Sequence, residues 1–115
     1  MEFIYTLKLR EELRQSSNWP QADDEAVDAH FEKLKAMLAN GKLILAGRTP
    51  TMDEDTFGIV IFKADSLEEA TRIMKEDPAV MQGTMSARVY PFRTALLRGG
   101  KRAKGIVFCE SIGLW

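Results

Sequence analysis

A chain of 115 residues is long enough for one hydrophobic core and too short for two. Its 45% hydrophobic and 29% charged residues are those of a globular domain, and a net charge of −1 argues against broad binding to nucleic acid or an anionic membrane. A single cysteine and a single histidine exclude an internal disulfide and a zinc site of the usual ligand set. With no apolar run of membrane-spanning length and no leader pattern, the expectation is a cytoplasmic protein without metal or cofactor.

Residues 3–10 (FIYTLKLR) alternate Phe3, Tyr5, Leu7 and Leu9 with Ile4, Thr6, Lys8 and Arg10, the period of a strand. Residues 11–21 read as a loop with one large aromatic, Trp19, which either packs on the domain edge or walls a ligand pocket. Residues 22–40 form the clearest helix: Asp23, Asp24 and Glu25 suit its positive end, and Val27, Phe31, Leu34 and Leu38 make an apolar stripe. Gly41 is the expected stop. His30 falls on the flank of that stripe, beside Ala26 and Met37. It is either a surface histidine with a water or backbone partner, or a half-buried one with a ring nitrogen free for other work.

Residues 42–47 (KLILAG) are a second strand, followed by a connection that opens with Arg48. Arg48 is either a substrate-carboxylate ligand or an ordinary loop charge. Residues 57–64 (FGIVIFKA) are a third strand, apolar on both faces. Ser66, with Glu69 three positions on, makes a capping box for a short helix that places Leu67, Ala70 and Met74 on one face. Pro78 ends that helix. Asp77 returns to the flank of the apolar face, at the end where the helix dipole disfavours a carboxylate. It is a plain turn residue or a functional one. Residues 86–93 (SARVYPFR) are a fourth strand, and Pro91 requires an edge or a bulge there. Residues 96–115 set Arg98, Lys101, Arg102 and Lys104 against Glu110 alone. They read as a basic extension whose last part (IVFCESI, residues 106–112) can add a strand.

The order β-α-β-β-α-β is that of an α+β ferredoxin-like domain over residues 1–95, with both helices on one face of an antiparallel sheet. Two helices shield one face only, whereas the third strand is apolar on both and the first strand adds Ile4 and Thr6 to the uncovered side. A homodimer packed through that sheet face is the expected cover.

Taken in order, AHFEKLKAMLANGKLILAG (residues 29–47), FGIVIF (57–62), SLEEA (66–70), EDPAV (76–80) and VYPF (89–92) resemble the YCII-related (YciI-like) proteins. That family is a branch of the dimeric α/β-barrel superfamily, which also holds muconolactone isomerases. The resemblance implies that His30 and Asp77 are an active-site pair, and that residues 96–115 lie beyond the family's usual domain. With that pair and no serine or cysteine in a nucleophile motif, the expected function is small-molecule general acid/base catalysis of an isomerase, lyase or lactone type, and position and chemistry make Arg48, Tyr5, Trp19 and Met37 the substrate-binding candidates. The alternatives are a non-catalytic homodimeric metabolite-binding module and, more remotely, an interaction protein that uses its basic tail.

Overall fold

The structure, a computed structural model, describes residues 1–14 and 17–98; the basic link and the candidate strand at residues 106–112 lie outside the described residues. The alternation in the first strand sets the layer on which the rest packs. Phe3, Tyr5, Leu7 and Leu9 are all buried, while Ile4 and Thr6 between them are only partly so. This strand, β1 (Glu2–Leu9), is followed by a single 3₁₀ turn (Glu11–Leu13), α1 (Gln21–Ala39), β2 (Leu43–Arg48), β3 (Gly58–Lys63), α2 (Leu67–Lys75), α3 (Pro78–Met81) and β4 (Met85–Phe92). The sheet runs β2-β3-β1-β4 with every neighbour antiparallel, the ferredoxin-like order.

Register carries the β1 pattern across the sheet. Phe3 sits opposite Phe62, and Tyr5 sits opposite Val60 on one side and Val89 on the other. The Tyr5 ring meets Phe62 edge-on with centroids 5.6 Å apart. Onto this face α1 brings Leu34 and Met37, and α2 brings Ala70, Ile73 and Met74. Both helices therefore cover the same side of the sheet. β4 is an edge strand, so Pro91, opposite Phe3, costs no ladder bond on the open side. Gly41, with φ +84°, turns the chain out of α1.

Three local expectations are corrected. The buried line of α1 is Asp23, Ala26, His30, Leu34 and Met37, whereas Phe31 and Leu38 are 58% and 61% exposed. The helix is thus turned by most of one residue step from the stripe that hydrophobicity suggests. Polar partners make up the difference, because Asp23 and His30 both find them inside the fold. In α2, Ile73 takes the inward place and Leu67 is exposed. The segment before α1 holds the 3₁₀ turn, which buries Leu13.

In β2 the pairing passes from Leu43 opposite Phe62 to Leu45 opposite Ile61, so Ile44 is an extra residue and the strand bulges. Side chains alternate with period 2, and one added residue reverses the phase beyond it. Ala46 and Arg48, opposite Val60 and Gly58, consequently face the helices, and Leu45 faces away from them. The uncovered face carries Ile4, Ile59 and Ile61, all partly exposed, with the exposed Leu45, Tyr90 and Phe92. Among the described residues, no helix is long and apolar enough to cross a membrane.

Candidate functional site

Asp77 occupies the junction of two helices. α2 stops at Lys75, and Pro78, which has no N–H to give, suits the first position of a new helix rather than the continuation of the old one. Asp77 caps that new turn: its Oδ1 accepts from the Ala79 N–H at 2.9 Å. The carboxylate that looks misplaced at the end of α2 is at the favourable end of α3. It is also fully buried.

His30 rises from the middle of α1 to meet it. Nδ1 lies 2.7 Å from Asp77 Oδ2 and 2.9 Å from Oδ1, and the Tyr5 hydroxyl donates to Oδ2 at 2.7 Å. Three donors therefore converge on one carboxylate. Burial pushes the Asp77 carboxyl up, but hydrogen bonds from His30 and Tyr5, the charge His30 carries when protonated and the Ala79 N–H together hold it below the ordinary range. Burial, the Asp77 charge and the hydrogen bond to it push the Tyr5 phenol far above its usual value, so Tyr5 stays a donor.

An ionised acceptor at Nδ1 selects the tautomer protonated there and leaves a lone pair on Nε2. Every hydrogen bond of the ring among the described residues is at Nδ1. No buried side-chain polar atom among those residues lacks a partner, so Nε2 reaches open space. His30 lines a cavity of about 460 Å³, together with Leu7, Leu34, Val60, Trp19 and Arg48 among others.

The cavity gathers three of the six candidate residues directly. His30, Trp19 and Arg48 line it, and Asp77 stands behind the imidazole. Trp19 is half-buried and anchored by its indole N–H on the Leu13 carbonyl at 3.2 Å. Tyr5 and Met37 do not line the cavity. Tyr5 lies in the core beneath the dyad, because its row of β1 faces the helices, and Met37 is packed into the same core. Tyr5 reaches the site through Asp77. Among the described residues, no group of three or more His, Cys, Asp or Glu side chains is placed to hold a metal ion.

A second buried carboxylate escaped the sequence reading. Asp23, which looks like an N-terminal helix charge, is 3% exposed. Its Oδ2 accepts from Arg10 at 2.9 Å and its Oδ1 accepts the Thr84 hydroxyl at 2.7 Å. The Arg10 backbone N–H also donates to the Thr84 carbonyl at 2.8 Å. The signal was present in the spacing: Asp23, Ala26 and His30 fall at i, i+3 and i+7, on one line of the helix. Thr84 follows α3, so this contact ties the helix that carries His30 to the segment that carries Asp77. Asp23→Asn is expected to lower the urea midpoint and to broaden the resonances of the His30 ring, whereas an exposed control, Asp24→Asn, leaves both unchanged.

Hydrogen bonds from Arg10 and Thr84 hold the Asp23 carboxyl below its ordinary value, as those to Asp77 do there. When pH falls, the unfolded chain takes up these protons before the folded one does. The stabilisation is therefore full above about pH 4 and drains away as pH drops through the lower folded-state values. Urea midpoints measured from pH 6 to pH 3 should decline at the acid end, and the Asp23→Asn/Asp77→Asn double variant should decline less steeply.

Similar chains are found among solved structures. One is 5-chloro-2-hydroxyhydroquinone dehydrochlorinase (TftG) from Burkholderia phenoliruptrix, in complex with 2,5-dihydroxybenzoquinone. It is 23% identical, with 81% of this chain and 94% of that one covered and a TM-score of 0.55. A candidate antibiotic biosynthesis monooxygenase from Deinococcus radiodurans is 13% identical over 87% of this chain and 100% of that one, with a TM-score of 0.43. No curated protein sequence matches the chain. The model of the YCII-related domain matches residues 1–93, which takes in the four strands and three α-helices found among the described residues, and the chain accordingly belongs to the YCII-related family.

Proposed function

We propose that the protein is a small-molecule enzyme in which His30 moves a proton and Asp77 holds the imidazole to the task. The observation that carries this reading is the polarity of the ring: Nδ1 is committed to a buried carboxylate, which leaves Nε2 unengaged on a residue that lines the cavity. Nε2 accepts a proton from an acidic C–H or O–H of the substrate, and the bonding pair stays on the substrate. The resulting imidazolium keeps Nδ1–H on the ionised Asp77, which stabilises the added charge. Return of the same proton to a second atom gives an isomerisation and needs no co-reactant. Tyr5 keeps the carboxylate oriented, and Arg48 and Trp19 contact the substrate. A dehydrochlorinase shares the fold, so the fold accommodates small-molecule chemistry.

The enzyme acts as a homodimer joined through the uncovered sheet face. An apolar surface of that extent, on the side of the sheet away from both helices, supports this reading. Residues 1–95 form the working domain, and residues 96–115 are an extension to it.

The test of catalysis is solvent hydrogen exchange. Small organic acids with an activated C–H are incubated with the protein in D₂O and followed by proton NMR. Wild type should wash deuterium into at least one of them, and His30→Ala should not. Ligand-induced thermal stabilisation with no exchange and no product across the panel would instead establish a binding module.

A further inference from the structure

The chemistry of the cavity changes from floor to mouth. The floor is Leu7, Leu34 and Val60, all buried, with the His30 ring among them. The mouth is Phe31, Met52, Phe57 and Arg48, all exposed, with the exposed Asp28 at the α1 side. Trp19 adds a flat half-buried wall between the two levels.

Such a lining rejects ligands rich in hydroxyl or phosphate oxygens. Thr56, the other polar side chain away from the mouth, is already engaged: its hydroxyl donates to the Thr51 carbonyl and accepts from the Asp53 N–H at 2.9 Å. A sugar or nucleotide in this space would leave several polar groups buried without partners. The floor takes hydrocarbon, with a single polar point at Nε2.

The mouth, in contrast, offers a charge that the fold does not use. One Arg48 terminal nitrogen donates to the Thr49 carbonyl at 2.9 Å, and Arg48 enters none of the ion pairs among the described residues. The β2 bulge turns this side chain to the helix side, and Gly58 opposite it presents no side chain of its own. An alanine there would set a methyl 3.3 Å from the Gly47 carbonyl oxygen and 3.6 Å from Arg48 Cβ. A planar guanidinium with open donors is suited to a carboxylate. Asp28 at the same mouth opposes a second negative charge.

We propose that the cavity takes a small amphipathic monocarboxylic acid, with its carboxylate on Arg48 at the mouth and its apolar body, carrying the hydrogen to be transferred, against His30 at the floor. A volume of about 460 Å³ lies in the lower part of the roughly 300–1,000 Å³ range of small-molecule sites, which suits a small ligand. The orientation of the reacting hydrogen rests on the proton-transfer reading above; the class of ligand rests on the lining alone.

Calorimetry on the full chain with four matched probes tests it: 3-phenylpropanoate, its primary amide, 3-phenylpropylamine and the dianion benzylmalonate. The monoacid should bind at least tenfold more tightly than the other three. Arg48→Gln should bring the acid to the level of the amide and leave the amide unchanged. His30→Gln should retain the acid, which separates this inference from the catalytic one, since exchange chemistry can fail while acid binding stands. Equal affinity for acid and amide, preference for the amine or the dianion, indifference to Arg48→Gln, or no binding of the acid at millimolar concentration each overturns the assignment.

Discussion

Asp77→Asn is expected to give a folded protein whose proton transfer is slower by about 10⁴-fold. The substitution keeps the side chain's shape and removes its charge and one acceptor. In the native site the carboxylate accepts from His30 Nδ1–H, the Tyr5 hydroxyl and the Ala79 N–H. An asparagine offers a single oxygen to these three donors, and its amide N–H₂ needs an acceptor of its own. The ring nitrogen beside it meets that need by giving up its proton, and Nε2 then carries the hydrogen. A ring that presents N–H to the cavity donates and no longer accepts, so the base is lost while the fold remains. Asp77→Ala is a poorer probe. It strands three buried donors and costs on the order of 3–5 kcal/mol, the usual penalty for removing one partner of a buried pair. Because the chain has one histidine, nitrogen-15 spectra report this site without ambiguity. Wild type should show the tautomer protonated at Nδ1 and Asp77→Asn the one protonated at Nε2. Undiminished turnover in Asp77→Asn would sink the mechanism.

The second large effect is expected on the far side of the sheet. Ile61 sits opposite Ile4 on one neighbour and Leu45 on the other, in the middle of the uncovered apolar face. In a two-fold dimer each substitution counts twice. Losing the burial of an isoleucine is worth about 1.5–3 kcal/mol per copy, so Ile61→Glu should weaken dimerisation by about 3–6 kcal/mol, or roughly 10²–10⁴-fold in Kd. Light scattering at micromolar concentration should give twice the 13.0 kDa chain mass for wild type and the single mass for Ile61→Glu. A wild-type monomer at that concentration would remove the dimer proposal. A monomeric Ile61→Glu that retains the His30 tautomer would show that dyad geometry is set within one chain.

The strands and helices were legible because their periods are simple. β1 alternates cleanly, Ser66 is a capping residue whose hydroxyl accepts from the Glu69 N–H at 3.1 Å, and Pro91 lies on an edge strand as its chemistry requires. The rotation of α1 was not legible, because a hydrophobic wheel treats Asp23 as surface, His30 only as flank, and Phe31 and Leu38 as core. Polar side chains become interior residues when a partner from a distant part of the chain meets them, and Asp77 is 47 positions from His30, as Thr84 is 61 from Asp23. No local pattern contains that information. For the same reason Tyr5 and Met37 could be named as substrate-binding candidates, with no local signal that they lie in the core rather than at the cavity wall.

The extra residue at Ile44 gives one short edge strand three allegiances. Leu43 belongs to the core, Leu45 to the uncovered apolar face, and Arg48 to the cavity mouth. Loss of Ile44 itself would straighten the strand and leave Leu45 opposite Ile61 and Arg48 opposite Gly58, whereas loss of one residue between Leu45 and Arg48 would set the arginine opposite Ile59, on the apolar exterior. The proposed ligand contact and the proposed dimer face are thus linked through the register of β2, so that such a deletion alters both while a substitution alters one.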